Sequence, residues 1–345
     1  MKSTKVLAIQ FKYLGDAVIL TPALKALAAQ IPNVELHVLV AAEVAPLLED
    51  LPWITKVWAM PRQRGKAKLW HSAPFIQALR REKFDQSVDF GGNDRGALLS
   101  YLSGAKNRLG SSDQRNSKLL QKFCYTKIIW PIDPGAPYFD LHFELLNAWH
   151  IKRPQQLKLE IDSKDLYPNQ ASTLLAKNSV LCHISTSQPK KDWPLSHWKT
   201  LYHLASDAGL KLVFSAGPND REKKLISDLK ILIPGAVILP SIGNLKLFLA
   251  VLKSAKIFVC GDTGPLHFAE GLGVPVLGIF GVGNSVRQVA PIYSENNNSI
   301  ICAGTCACDI LSNDTDSCKS SGSCMASVRP ETVFLKLKEI LNLAK

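Results

Sequence analysis

Short apolar runs alternate along this chain with longer stretches whose apolar positions recur at helical spacing, and the alternation sets the expected fold. Lys5–Phe11 reads as a strand. Thr21-Pro22 then opens a helix through Gln30, with threonine as N-cap and proline at the first helical position, where its missing N–H costs nothing. Glu35–Ala41, Thr55–Met60 and Asp85–Phe90 read as further strands, with helices near Val44–Leu51 and Ala73–Arg81. The region Ile151–Asn178 lacks a clear apolar strand after Ile161 and contains Pro154 and Pro168, so the domain boundary is placed there.

A second series follows. Its strands are Ser179–Ser185, Lys211–Ala216, Ala236–Leu239, Lys256–Cys260 and Pro275–Phe280. Its helices are Leu195–Ala208, Asp220–Lys230, Asn244–Ser254 and Pro265–Leu272, and beyond Pro330 the residues Val333, Leu337, Ile340 and Leu341 mark an amphipathic helix. Strand–helix alternation of this kind argues for parallel sheets with helices on both faces. The expected class is therefore α/β, with two doubly wound Rossmann-like domains facing a cleft at the carboxyl ends of their strands, where ligands bind in such sheets. The expected division is 1–165, 166–328 and a C-terminal helix over 329–345.

Length and composition agree with that division. At 345 residues the chain suits two α/β domains better than one core, and 46% hydrophobic with 20% charged residues is an ordinary globular balance. No run of about 18 apolar residues appears, and the N-terminus lacks the continuous apolar middle of a signal peptide, so a cytoplasmic location is expected. A formal net charge of +12 favours anionic partners. Between Arg62 and Lys83 the cations Arg62, Arg64, Lys66, Lys68, Arg80, Arg81 and Lys83 face one acid, Glu82, which fits either a solvated surface or a cradle for an acidic glycolipid. Basic–aromatic interleaving and standard nucleic-acid motifs are absent, so no nucleic-acid partner is expected. Cys302, Cys306, Cys308, Cys318 and Cys324 are clustered but contain no C-x-x-C pair, an irregular pattern for zinc, and no metal is assigned to them.

The chemistry must come from turns at strand ends. The first, Lys12-Tyr13-Leu14-Gly15-Asp16, lacks the G-x-G-x-x-G of dinucleotide binding, and no phosphate loop, G-x-S-x-G elbow or H-E-x-x-H helix exists. Asp16 is either a helix cap or a general base facing the cleft. In Thr186-Ser187-Gln188-Pro189-Lys190-Lys191-Asp192-Trp193-Pro194, hydroxyls and Lys191 suit a diphosphate, although a basic turn anchored by Trp193 is the plainer account. The strongest signal is Cys260-Gly261-Asp262-Thr263-Gly264-Pro265-Leu266-His267. Here a strand runs directly into a helix whose free N–H groups and dipole form an anion site, with Thr263 and His267 within reach. In Gly217-Pro218-Asn219-Asp220-Arg221-Glu222 a carboxylate can bind ribose hydroxyls or cap the helix, and Asp220 and Glu222 are not distinguished.

The turn G-D-x-x-x-x-T-P-A-L, the K-x-W-P turn and D-T-G-x-x-H, in this order over nearly the whole chain, resemble glycosyltransferase family 9, which contains the ADP-heptose:lipopolysaccharide heptosyltransferases. The resemblance implies a GT-B fold, with the acceptor bound by the first domain and the nucleotide sugar by the second. It implies inverting transfer of heptose from ADP-heptose to the lipopolysaccharide core, with no cofactor or obligatory metal. By position, Asp16 corresponds to the base. Thr186, Ser187 and Lys191 correspond to diphosphate contacts, and Asp262, Thr263, Gly264 and His267 to the donor loop. Asp220 or Glu222 corresponds to the ribose acid. Lys12, Arg62 and Arg64 fall on the acceptor side, toward an anionic glycolipid, with peripheral contact at the inner face of the inner membrane as an option. Lys12-Tyr13-Leu14 departs from the Arg or Ser more often expected before Gly-Asp, which bears on the choice of acceptor.

Overall fold

β1 (Thr4–Gln10) is buried continuously from Val6 to Gln10, a pattern that belongs to a central parallel strand covered on both faces. In the computed structural model, which describes residues 3–61, 73–112, 119–162, 164, 167–282, 284–289, 298–304 and 324–342, that strand lies inside a parallel sheet. The other strands of this sheet are β2 (Val34–Ala41), β3 (Lys56–Met60), β4 (Gln86–Asp89), β5 (Asn107–Ser111) and β6 (Lys127–Ile129), ordered β3-β2-β1-β4-β5-β6. The helices between them are α1 (Leu14–Ile19), α2 (Thr21–Gln30), α3 (Ala73–Arg81), α4 (Asp94–Leu102), α5 (Leu119–Cys124) and α6 (Tyr138–Leu146).

The chain separates into two units, Met1–Asp162 and Ser163–Lys345. The second repeats the architecture of the first. Its strands are β7 (Val180–His183), β8 (Leu212–Ser215), β9 (Val237–Ile238), β10 (Ile257–Gly261), β11 (Val276–Phe280) and β12 (Ser299–Cys302). They are parallel and ordered β12-β11-β10-β7-β8-β9. Its helices are α7 (Pro168–Leu174), α8 (Leu195–Asp207), α9 (Asp220–Leu232), α10 (Leu245–Lys253), α11 (Gly264–Gly271), α12 (Asn284–Val289) and α13 (Pro330–Ile340). In each unit the strand order reverses once, between β1 and β4 and between β7 and β10. Loops leaving the two neighbouring strands diverge there to opposite faces and open a crevice.

Several elements differ from the hydrophobic pattern. Helix formation begins at Leu14, seven residues before Thr21, so Gly15 and Asp16 are helical. Val44–Leu51 holds one 3₁₀ turn, Ala45–Leu47, because Pro46 opens it and Pro52 restricts the residue before it. α4, β5, α5, β6 and α6 fill the stretch after Phe90, and α7 occupies part of the expected linker. β5 and β6 are short and lie toward one edge of their sheet, and so carry little of the apolar signal that marks a central strand.

The second unit's core is built around indoles. Trp198 is 1% exposed and meets Trp193 edge-on at 4.9 Å and Phe214 at 6.1 Å between ring centroids. Trp193 donates its indole N–H to the Val328 carbonyl at 2.9 Å, and α13 packs Val333 and Leu337 into the same cluster. The K-x-W-P loop is thus anchored to the chain just before the last helix. Replacing Trp198 with alanine is expected to cost about 3–5 kcal/mol of stability, read as a lowered denaturant midpoint.

Candidate active site

The switch point of the second sheet collects the loops that follow β7 and β10. Ile184 to Pro194 leave β7 through a short 3₁₀ turn, Pro189–Lys191, and Asp262-Thr263 lead from β10 directly into α11. The two loops meet in an ion pair, with Lys191 Nζ 2.6 Å from Asp262 Oδ2 and both side chains largely buried. Gly261 makes the approach feasible, since a Cβ there would stand 2.8 Å from Thr186 Cγ2 and 3.3 Å from the Lys191 carbonyl oxygen. Thr263 is the N-cap of α11, yet its side chain makes no cap bond, and Pro265 supplies no N–H. The positive end of α11 therefore opens beside Lys191.

The β7 loop is braced internally. Asp192 accepts from the Thr186 N–H at 2.8 Å, and its second oxygen is bound by Arg221, which also donates to the Thr186 carbonyl. The Thr186 hydroxyl lies 2.8 Å from Asp192 Oδ1 and 2.7 Å from the Gln188 carbonyl oxygen, so it shapes the turn from inside, and Ser187 is the exposed hydroxyl.

Glu222 and Asp220 also separate. Asp220 is fully exposed, 3.8 Å from Lys223. Glu222 turns toward the sheet edge, where it accepts from Ser185 Oγ at 3.1 Å and from the Asn219 N–H at 3.3 Å, while the Asn219 side chain caps the Glu222 N–H at 2.9 Å. Gly217 leaves the room this carboxylate occupies, since a Cβ would fall 2.2 Å from Glu222 Oε2. Behind Ser185 lies His183, hydrogen-bonded to Ser215 at 3.0 Å and held neutral by burial, which lowers it to about 4.

At the switch point of the first sheet, the turn after β1 faces the turn after β4. Asp16 is half-buried in the first turn of α1 and accepts from the Tyr13 N–H at 3.1 Å, the geometry of a helix cap. A carboxylate offers about four lone-pair sites, so a cap bond leaves room for a proton acceptor. Lys12 lies over the Tyr138 ring at 5.1 Å, and Arg95 over the Phe11 ring at 4.6 Å. Across from them Asp89 is fully buried, bound by Tyr125 Oη at 2.6 Å and the Gly91 N–H at 2.9 Å. Burial pushes its carboxyl up to about 6 despite those bonds. Arg62 and Arg64 lie outside the described residues, as do Cys306, Cys308 and Cys318. Among the described residues no cluster of metal-ligating side chains occurs, and no helix is long and apolar enough to cross a membrane.

Two units of this topology in one chain, with D-T-G and K-x-W-P loops joined at a switch point, accord with a match of residues 72–318 to the model of glycosyltransferase family 9 (heptosyltransferase). The chain belongs to glycosyltransferase family 9. It is a transferase whose relatives include the lipopolysaccharide core heptosyltransferase OpsX of Haemophilus influenzae, 24% identical over 286 residues that cover 77% of this chain and 78% of that one. Among solved structures, a family 9 glycosyltransferase from Veillonella parvula superposes with a TM-score of 0.80 at 17% identity, covering 99% of this chain and 98% of that chain. The ADP-heptose lipopolysaccharide heptosyltransferase II of Escherichia coli gives 0.76 at 16% identity, covering 98% and 99%. The fold is that of the GT-B members of the family.

Several residues at these turns escape a motif search. Arg221 and Asp192 sit inside quoted turns but act on each other across 29 positions. Asp89 and Arg95 flank Gly91-Gly92, and an acid ending a strand before paired glycines was the available signal.

Asp89 gives a pH signature. Its folded-state carboxyl is raised above the unfolded value of 3.8, so the folded state holds the proton more tightly and stability is lost as pH rises from about 4 through about 6. Asp89→Asn removes that contribution. The stability difference between wild type and variant, followed by urea denaturation, is therefore expected to move against the wild type across that window and to be flat above about pH 7.

Proposed function

We propose that this glycosyltransferase moves a heptose from ADP-heptose to an acceptor hydroxyl of the lipopolysaccharide core, with inversion at the anomeric carbon. The observation that carries the reading is the Lys191–Asp262 pair at the open N-terminus of α11. It brings a cation, a carboxylate and helix N–H groups together at a switch point, where a sugar diphosphate needs all three. Relatives named for lipopolysaccharide heptosyl transfer, and a solved relative that holds ADP-2-deoxy-2-fluoro heptose, support the choice of donor.

Asp16 accepts the proton of the acceptor hydroxyl as that oxygen attacks the anomeric carbon. The bond to the diphosphate oxygen breaks on the opposite face, and ADP leaves. Lys191, Ser187, the Gly264 N–H and His267 take up the negative charge that builds on the diphosphate, and fixed donors of this kind usually supply the largest share of catalysis. Asp262 orients Lys191 and can accept from a sugar hydroxyl. Glu222, held at the sheet edge by Ser185, is better placed than the exposed Asp220 to receive ribose hydroxyls. Lys12 and Arg95, with Arg62 and Arg64, would meet the phosphates of an anionic glycolipid. An anionic inner-membrane surface suits the +12 charge in the same way.

The test is thermal stabilisation by ADP, UDP and GDP, coupled to transfer assays with ADP-heptose. Selective stabilisation by ADP is expected, weakened in Lys191→Ala and kept in Asp16→Asn. Selectivity for UDP or GDP would overturn the heptose donor. With the full reaction, Asp16→Asn is expected to lower kcat by about 100-fold or more, and Lys191→Ala to lower kcat/KM by about 100- to 1000-fold. Retention of the anomeric configuration in the product would exclude the single displacement.

A further inference from the structure

One buried acid on α11 has no part in the mechanism above. Glu270 lies one turn beyond His267, and the two side chains are 3% and 6% exposed. Glu270 Oε2 stands 2.8 Å from His267 Nδ1, whereas Glu270 Oε1 is buried with no hydrogen-bond partner. Among the described residues the imidazole is the carboxylate's hydrogen-bond partner, and the contact is made through Nδ1, so Nε2 is the ring's other polar atom. Burying a carboxylate behind an apolar strand–helix packing is costly unless it is paired. This one is kept for its contact with one ring nitrogen of His267.

We infer that Glu270 is a positioning residue: its carboxylate accepts the His267 Nδ1–H, fixes the ring's orientation, and directs Nε2 to a diphosphate oxygen of the donor. The inference rests on the donor site proposed above. Which ring nitrogen faces a ligand is set by the hydrogen bond the other nitrogen makes. With Nδ1–H committed to Glu270, Nε2 is the atom that meets the ligand. To donate to a phosphate oxygen there, Nε2 takes up one proton from solvent, and the ring then lies between two anions and donates to both. Glu270 thereby fixes which nitrogen meets the donor without touching the substrate. Helix geometry makes the arrangement rigid, because residues three apart on one helix share a face.

The contact is separable from simple packing by comparing Glu270→Gln with Glu270→Ala in the full-length enzyme. Glutamine keeps the volume and an acceptor oxygen but loses the charge, and alanine loses both. ¹⁵N spectra of histidine-labelled protein report the protonated nitrogen of His267 without any nucleotide. The expected result is protonated Nδ1 in the wild type and in Glu270→Gln, and loss of that preference in Glu270→Ala. ADP affinity by calorimetry is expected to fall about tenfold in Glu270→Ala, with kcat falling further than KM rises, and Glu270→Gln is expected to recover orientation but only part of kcat, since one lost charge-assisted bond is worth roughly a factor of ten or more. A wild type that binds ADP while both variants keep its kcat and ADP affinity within about twofold would overturn the role of Glu270 alone. Protonation of His267 at Nε2 only, in wild type with and without ADP, would also overturn it. Failure of the wild type to bind any nucleoside diphosphate would overturn the donor site, and this inference with it.

Discussion

Everything described at the two switch points depends on one constraint of parallel sheets. All strands in a sheet end at the same edge, and only where the order reverses do adjacent loops part to opposite faces. In the second unit this places the loops after β7 and β10 side by side although they are separated by 71 positions at the Lys191–Asp262 contact. Residues with no relation in sequence thereby become one electrostatic unit. The first unit repeats the arrangement with the turns after β1 and β4, so Asp16 and Asp89 lie on opposite sides of one crevice.

Around that constraint the protein places charge with care. Lys191 is balanced by Asp262, Arg221 by Asp192, and His267 by Glu270, each pair partly or wholly withdrawn from water. Such pairs contribute little stability by themselves, because desolvation offsets the attraction. Their value is orientation: each holds its nitrogen group within a narrow range of positions. Histidines that serve packing are treated differently. His142 and His183 are buried without an acid and are driven neutral, to about 3 and about 4.

Much of this was legible in the amino-acid pattern, for identifiable reasons. Central strands such as β1, β7 and β10 are continuously apolar, so they and the turns that end them stand out. D-T-G-x-x-H and K-x-W-P are local signals, with all their residues within one turn. Elements after Phe90 were hidden because β5 is short and polar and β6 has only three residues, and α1 was hidden by Gly15 and Asp16, which read as a turn before they read as a helix. Contacts such as Arg221 to Asp192 or Ser185 to Glu222 depend on register between β7 and β8, which no spacing rule exposes. Glu270 is three residues from a quoted histidine, yet only the burial of both side chains distinguishes it from a solvated helix acid.

The contact between Gly217 and Glu222 has a consequence for how this enzyme can diverge. A methyl group at 217 would occupy the space of the Glu222 carboxylate, while Glu222 satisfies Ser185 and the Asn219 N–H. Residue 217 therefore cannot gain a Cβ while the acid keeps this position. A lineage that enlarges residue 217 must shorten or withdraw the acid at 222, and with it surrender the acceptor that Ser185 and the Asn219 N–H use. A bulkier residue at 217 would then be accepted only together with a change at 222, and the two substitutions would couple in stability.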